Sequence, residues 1–233
     1  MEMTDEQIAD LARALPGDFS IYEVADNRLA VLRYSEGIPA LSGMDAAEYD
    51  SIIADDASAI VVESDRALVA SKLTEVLTSG TDADLSYRIV NTVQESVWVH
   101  ARARFVGVRN GHPVLLVIFS DTSYETNFHE ELLDRIDESV HVCDARTNEL
   151  LYLNRTARRI WNREGSYLGM TCHDFLHDRS KPCPWCGLSG IDTLEIHIDE
   201  MYDEDTGKYF KYDRQKIVWH GRDAFAIFAE DIT

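Results

Sequence analysis

The stretch Phe19-Ser-Ile-Tyr-Glu-Val24 decides the fold, because Val140-His-Val-Cys-Asp-Ala145 repeats it without a gap at an offset of 121 residues. Each stretch alternates apolar and polar side chains, as a half-buried β-strand does. At the same offset, Leu29-Ala-Val-Leu32 falls on Leu150-Leu-Tyr-Leu153. Each half therefore predicts a β-hairpin, and the repetition predicts two copies of one globular domain.

The residues around the first hairpin predict helices and three further strands. Asp26-Asn27 is the turn signal before the returning strand, Arg28 to Tyr34. Thr4 and Gln7 have capping-box spacing, so a helix is predicted from Thr4 to Leu15. A longer helix is predicted with Ser64 or Asp65 as its cap and Gly80 at its end. The three strands are predicted at Leu85–Val90, Val97–Val106 and Val114–Asp121.

The second half begins with helical spacing from Glu125 to Asp137, which predicts a helix between the two domains. The returning strand of its hairpin is predicted at Leu150 to Asn154, after the turn signal Thr147-Asn148. The acidic run Asp199–Asp205 ends in Thr206-Gly207 and favours a solvated hairpin turn over a calcium site. We therefore expect a flanking helix at residues 1–16, a first domain at 17–124, a linker helix at 125–138 and a second domain at 139–233.

The composition restricts the environment and the partners. The 22 Lys and Arg against 42 Asp and Glu leave a formal net charge of -20, which repels nucleic acid and anionic membranes. The longest apolar run, Val114 to Phe119, is far shorter than the ~20 residues of a membrane-spanning helix. The start of the sequence lacks the basic residues of a signal peptide. All four cysteines lie in the second half, which favours reduced thiols over a disulfide framework. A cytoplasmic protein is expected.

Fragments of both halves resemble the PAS superfamily. The matching fragments are Tyr87-Arg-Ile, Glu95-Ser-Val-Trp-Val99, Gly111-His-Pro-Val114 and Phe119-Ser-Asp-Thr122 in the first half, and Leu150-Leu-Tyr-Leu-Asn154-Arg-Thr-Ala157 and Glu230-Asp-Ile-Thr233 in the second. The resemblance implies an α+β fold in which each half is a five-stranded antiparallel sheet with helices over one face, around a small central cavity. That cavity can hold a metabolite, haem, flavin or nothing.

The resemblance also implies a sensory role without catalytic machinery. The flanking helices of such domains often pair in a homodimer and carry a signal to an output domain, for example a histidine kinase, or to a partner protein. Output domains of this kind commonly begin where this sequence ends, so we expect one in the full protein. Tyr87, Trp98, Asn154 and Trp161 are candidates for lining the ligand cavities. The motif for covalent flavin attachment, Asn-Cys-Arg-Phe-Leu, is absent, so covalent flavin is not expected.

A cysteine-rich segment in the second half is the strongest candidate for chemistry. Cys172, Cys183 and Cys186 lie close to His177, and thiolates with an imidazole can bind a metal or exchange disulfides. The pattern lacks the second Cys-x-x-Cys of a typical structural zinc site. Packing and turn formation are the plainer interpretation. His173 and His177 are also the candidate haem ligands of this half, although a histidine on a short helix is more often solvated.

Two other functions compete with a ligand-binding or redox sensor. In the first, both domains serve only as dimerisation and docking surfaces with filled cores. In the second, Cys183 and Cys186 form a thiol oxidoreductase site. That reading is weakened because the motif follows a loop and Pro182, whereas thioredoxin-like chemistry places Cys-x-x-Cys between a strand and a long helix. Cys143 is predicted to be a small hydrophobic core residue of its strand.

Overall fold

A computed structural model describes residues 2–26, 28–91, 96–120, 130–184, 186–191, 195–204 and 206–233. The chain divides into two compact units, Met1–Tyr124 and Glu125–Thr233. Among the residues named above, Asn27, Glu95, Asp121, Thr122, Glu125 and Asp205 lie outside the described ones. In the described ranges, no helix is both long enough and apolar enough to cross a membrane.

The first unit contains five strands, and helices precede and interrupt them. In chain order the elements are α1 (Asp5–Ala14), β1 (Asp18–Ala25), β2 (Arg28–Tyr34), α2 (Gly37–Leu41), α3 (Ala46–Ile53), a 3₁₀ helix (Ala57–Ile60), α4 (Glu63–Ser79), β3 (Ala83–Val90), β4 (Ser96–Arg109) and β5 (His112–Ser120). The two faces of this sheet bury different side chains, since successive residues of a strand point to opposite sides. Tyr22 and Leu115 belong to the core under the helices, whereas Ile21 and Val114 pack with Ile8 of α1 on the other face.

The second unit repeats the five strands with shorter helices. Residues 130–134 are helical and are labelled α5. The other elements are β6 (Ser139–Asp144), β7 (Leu150–Leu153), α6 (Arg155–Ile160), α7 (Cys172–His177), a 3₁₀ helix (Leu188–Gly190), β8 (His197–Asp203), β9 (Lys208–Trp219) and β10 (Arg222–Asp231). The segment that carries Cys183 and Cys186 stands where α4 stands in the chain order of the first unit.

Both sheets have the same topology. Their strand orders are β2-β1-β5-β4-β3 and β7-β6-β10-β9-β8, and every pairing is antiparallel. The first strand of each unit therefore lies between its hairpin partner and the last strand. This confirms the predicted fold class, two α+β domains that each contain a five-stranded antiparallel sheet.

The caps of the helices agree with the sequence in part. The Thr4–Gln7 capping box is present, and Gly80 ends α4 in the left-handed conformation, with φ of 71°. The predicted cap of α4 was wrong, because Val62 is the N-cap. Asp65 is fully buried instead and binds Arg88 at 2.6 Å. A buried arginine attracts this carboxylate more strongly than an exposed helix start does.

The segment before β6 is less helical than its apolar spacing predicts. Residues 130–134 are helical, but Arg135 follows the helix as a turn, Ile136 is irregular and Asp137 is a bend. The carbonyl oxygen of Ile136 accepts a hydrogen bond from Thr156 Oγ1 at 3.0 Å. That contact with α6 replaces the last turn that the sequence pattern predicts.

Candidate functional site

The first domain encloses a small apolar cavity between its sheet and its helices. The cavity has a volume of about 40 Å³, and its wall includes Tyr22, Tyr49 and Tyr87 among aliphatic side chains. Burial raises the pKa of Tyr22 to about 12, so its phenol stays protonated. Pockets for drug-sized ligands have volumes of roughly 300 Å³ or more. The first cavity is therefore largely filled by its own side chains.

The two candidate pocket residues of the first domain lie on opposite faces of the sheet. Tyr87 is on the cavity wall. Trp98 pairs with Arg88 in the β3–β4 register, and its ring lies 5.5 Å from the guanidinium carbon. Because Arg88 and Tyr87 are consecutive on a strand, Trp98 faces away from the cavity.

The second domain encloses a cavity of about 50 Å³ with a chemically different wall. All four residues predicted as a metal or redox cluster line it, namely Cys172, Cys183, Cys186 and His177. Sequence reasoning missed the other polar residues of the wall, His141, Tyr212 and Arg214, which come from the sheet. Three thiols, two imidazoles, a phenol and a guanidinium thus converge on one small space.

Cys172 belongs to a capped helix that is hydrogen-bonded to the hairpin, whereas Cys183 and Cys186 belong to a partly exposed turn. Cys172 is the first residue of α7, which Thr171 caps, and its backbone N–H donates to the carbonyl oxygen of Asn148 at 2.9 Å. Cys183 and Cys186 are partly exposed and belong to a turn in which Cys186 N donates to Cys183 O at 2.9 Å. A short 3₁₀ helix follows this turn, so the long helix typical of thioredoxin-like sites does not begin here.

Cys143 is a further thiol of this site that sequence reasoning treated as core. It is fully buried on β6 and lies beside Cys172 in the same core cluster. The hydrogen bond from Cys143, together with backbone N–H donors at Cys172 and His173, lowers the pKa of Cys172. The same contact, followed by burial, raises the pKa of Cys143 well above its ordinary value. The pKa of Cys172 is therefore lower than that of Cys143.

His173 is buried and His177 is largely buried, contrary to the expectation of a solvated position for both. His173 is 8% exposed and the side chain of His177 is 10% exposed. His177 Nδ1 lies 4.0 Å from Asp203 Oδ2. Asp203 is itself buried, so only part of the predicted acidic turn is solvated. Burial, and then the positive charges of His177 and Arg214, lower the pKa of His141 to about 3, so its imidazole is neutral near pH 7.

The two candidate pocket residues of the second domain have different environments. Trp161 is 6% exposed and stacks on Phe210 at a ring distance of 5.4 Å, and its edge meets the ring of His177 at 5.9 Å. Trp161 therefore supports one residue of the cavity wall. Asn154 has a different role, as a helix cap and a tether.

Asn154 joins the sheet, α6 and the segment that follows α5. Its side chain is fully buried, and Oδ1 accepts hydrogen bonds from Val140 N at 3.0 Å and Ala157 N at 2.8 Å. Its Nδ2 donates to the carbonyl oxygens of Leu133 and Glu138, both at 3.0 Å. All four hydrogen-bonding positions of the amide are occupied, so Asn154 acts here as a helix cap and a tether.

In the described part of the chain, no group of three or more His, Cys, Asp or Glu side chains is arranged to hold a metal ion. The thiols of the second cavity nevertheless remain suited to soft metals by their chemistry. The metal interpretation of Cys172, Cys183, Cys186 and His177 stays a prediction.

The strand registers show how one scaffold acquired two different walls. Val117 pairs with Ser20 and Ala103 in the first sheet, and Ile227 pairs with His141 and Arg214 in the second. His141 and Arg214 thus occupy the positions of a serine and an alanine. Cys143 likewise stands at the position of Tyr22 in the duplicated hairpin.

The comparison with known families agrees with this topology. Residues 31–120 match the family model described as the PAS fold. The first domain is a PAS domain. The second domain repeats its strand order and is PAS-like. No curated protein matches the sequence.

Several solved structures are similar to this chain. A PAS domain of an HTR-like protein from Haloarcula marismortui is 18% identical with a TM-score of 0.38, and the match covers 47% of this chain and 93% of that one. A LOV protein of Rhodobacter sphaeroides is 12% identical with a TM-score of 0.44, over 57% and 76%. A sensory box histidine kinase/response regulator from Burkholderia thailandensis is 16% identical with a TM-score of 0.37, over 56% and 93%.

Proposed function

We propose that this chain is the sensory and regulatory part of a signal-transduction protein, and that its second domain detects a small ligand or a change in thiol oxidation. The observation that carries the proposal is that residues of β6 contact both the cavity site and Asn154. His141 and Cys143 of this strand belong to the cavity site, and Val140 of the same strand binds Asn154. A change at the cavity wall therefore acts on a strand that also contacts the tether.

The tether connects β6 to the segment that carries the signal. Asn154 binds the backbone of Leu133 and Glu138, and Asp134 accepts a hydrogen bond from Arg155 N at 2.9 Å. Tyr152 Oη adds a hydrogen bond to the carbonyl oxygen of Glu130 at 3.2 Å. Residues 130–138 are thus held by β7 and the start of α6. When these hydrogen bonds weaken, a smaller fraction of the molecules has α5 attached to the sheet, and this change of population is the signal in the proposal.

The proposal also includes the oligomeric state, the signalling partner and the cellular compartment of the chain. The flanking helices α1 and α5 pair two copies in a homodimer and transmit the change to an output domain or a separate signalling protein. The free thiols suit a reducing compartment, for which we propose the cytoplasm. The small, mostly apolar first cavity assigns a structural or relaying role to the first domain.

Hydrogen exchange of the whole chain tests the relay. Methyl methanethiosulfonate adds a small group to the partly exposed thiols, Cys183 and Cys186, at the edge of the cavity. We expect this modification to change the exchange of residues 130–138 while the peptides of β3 and β4 stay unchanged. Peptide-resolved mass spectrometry measures both the modification and the exchange.

Two variants serve as controls for this measurement. In a chain with Cys183→Ser and Cys186→Ser, Cys172 is the thiol of the described cavity wall that the reagent can still reach, so this variant separates the response to modified Cys183 and Cys186 from the response to modified Cys172. Asn154→Asp should exchange rapidly at residues 130–138 with or without it, because its tether is already broken. If both thiols are modified in the wild type and the exchange of residues 130–138 stays the same, the proposed relay is wrong.

A further inference from the structure

The best-positioned pair of thiols in this domain is Cys143 and Cys172. Both side chains belong to one buried core cluster and lie beside each other, and they are 0% and 8% exposed. The backbone holds them there, because Cys172 N donates to Asn148 O and Leu150 N donates to Met170 O, both at 2.9 Å. These bonds fasten the chain around Cys172 to the β6–β7 hairpin that carries Cys143. The contact therefore does not depend on a flexible loop.

The cavity gives a small molecule access to one member of this pair. Cys172 is on the cavity wall, together with the partly exposed Cys183 and Cys186. Cys143 touches Cys172 from within the core. A reagent that enters the cavity can thus reach Cys172, with Cys143 behind it as the neighbour that can react with the product.

Two other residues of the wall indicate a small polar guest. His141 is 8% exposed, lines the cavity, and its Nδ1 has no hydrogen-bond partner among the described residues. A buried polar atom of this kind is costly unless a guest or a water molecule binds it. Arg214 adds a buried guanidinium, whose Nη1 also binds Asp199. Its positive charge favours a reaction in which negative charge develops on an oxygen atom.

We propose that the second domain is a peroxide-responsive switch in which Cys172 is oxidised first and Cys143 then forms a disulfide with it. This inference rests on the proposed sensory function and names its stimulus, a hydroperoxide small enough for a cavity of about 50 Å³. It also assigns a role to Cys143, which the sequence pattern places in the core.

The chemistry balances in two steps. The Cys172 thiolate attacks one oxygen of hydrogen peroxide, the O–O bond breaks, and the products are a Cys172 sulfenic acid and hydroxide, which takes up a proton to form water. Cys143 then loses its proton and attacks the Cys172 sulfur, so that an S–S bond forms and a second water leaves. Overall two thiols lose two electrons and one peroxide becomes two waters.

The neighbouring pair, Cys183 and Cys186, is the main competitor. These thiols are more exposed, and they are close in sequence within one turn. Cys172 differs from both, because a second thiol lies beside it and backbone hydrogen bonds fasten its segment to the hairpin that carries that thiol. The proposal therefore predicts which two of the four thiols are lost first.

Peroxide titration of the reduced full-length chain tests this prediction. One equivalent of hydrogen peroxide should remove the alkylatable thiols of Cys143 and Cys172, and a non-reducing digest should contain the peptide that links them. Dimedone traps sulfenic acids, so Cys143→Ala should accumulate the adduct at Cys172. The variant with Cys183→Ser and Cys186→Ser should still form the linked peptide.

Failure of the peroxide switch and failure of the relay give different experimental results. A first disulfide between Cys183 and Cys186, or peroxide treatment that leaves the Cys172 thiol alkylatable, overturns the peroxide switch. Protection of Cys172 that needs added Zn²⁺ in place of peroxide also overturns it and favours a metal site. If Cys143→Ala fails to fold, Cys143→Ser in the same dimedone assay gives the answer. None of these results depends on the exchange of residues 130–138, which tests the relay alone.

Discussion

Replacing Asn154 by aspartate should release residues 130–138 without removing the cap of α6. Both side chains have an oxygen that can accept from Val140 N and Ala157 N. Only the amide can donate to the carbonyl oxygens of Leu133 and Glu138. The substitution therefore removes two hydrogen bonds and places a carboxylate oxygen against two carbonyl oxygens.

The structure sets the size of the effect. Two lost hydrogen bonds at about 1 kcal/mol each give at least about 2 kcal/mol of local destabilisation, and the buried carboxylate beside two carbonyl oxygens adds to it. Since each 1.4 kcal/mol is tenfold in an equilibrium constant, the exchange of amides in residues 130–138 should accelerate by at least roughly 30-fold. Asn154→Ala should cost about 4 kcal/mol, because it also removes the cap and leaves the buried N–H of Val140 without its acceptor.

Peptide-resolved hydrogen exchange of the full-length chain measures these changes. The matched control is Asn162→Asp, which introduces the same charge at an exposed position of the same domain. The reasoning predicts fast exchange in residues 130–138 for Asn154→Asp and wild-type exchange for the control. If the two variants behave alike, or if Asn154→Asp unfolds α6 before it frees residues 130–138, Asn154 is not the tether.

The other predictions concern the buried charges and titrating groups. Burial lowers the pKa of His141 to about 3 in the folded chain, whereas the unfolded chain has the ordinary histidine pKa. Between these two pKa values the unfolded chain binds one more proton than the folded chain, so the free energy of unfolding rises with pH. The free energy of unfolding of the second domain should fall by about 2 kcal/mol when the pH is lowered from about 7 to 5. His141→Gln should reduce this dependence on pH. Urea unfolding at each pH, followed by a deuterium pulse at one common pH, measures the change for each domain. Asp65→Asn should cost the first domain about 3–5 kcal/mol in the same assay, because the charge of Arg88 loses its buried partner. The double variant Asp65→Leu with Arg88→Met should cost less than the single one, and an equal or larger loss would contradict this account.

The sequence predicts the sheets well because their signals are local. Alternating apolar residues and turn signals place β2 at Arg28–Tyr34 as observed, and the strand that forms β1 is correct within one residue at each end. The hairpin repeat gives the second domain the same topology, since a duplicated strand order follows from duplicated strands. The segment before β6 is less well predicted, because Thr156 binds the carbonyl oxygen of Ile136 and periodicity contains no information on that contact.

The candidate site is only partly visible in the sequence. Cys172, Cys183, Cys186 and His177 lie close enough along the chain to be recognised together, and the fold does bring them to one cavity. Cys143 and His141 are distant in sequence and lie on an apolar strand, where a cysteine normally indicates core packing. Their position on the inner face could have been found from the repeat, because Cys143 aligns with Tyr22. Likewise, the position of Asn154 directly before α6 is typical of a helix cap, which predicts its observed role better than a ligand pocket does.

The two domains differ most where a duplicated scaffold can change without losing its fold. The sheet needs its backbone pairing and its apolar layers, and both are kept in the two copies. The inner faces of the first and fourth strands tolerate other side chains, because the cavity leaves space in front of them. Where the first domain has Ser20 and Ala103, the second has His141 and Arg214. Arg214 is paired with Asp199, but the buried Nδ1 of His141 has no hydrogen-bond partner among the described residues, which costs stability unless a guest or a water molecule binds it. A small polar guest or oxidant that reaches Cys172 supplies that partner, and the first domain, which lacks such a wall, should show no comparable response to peroxide.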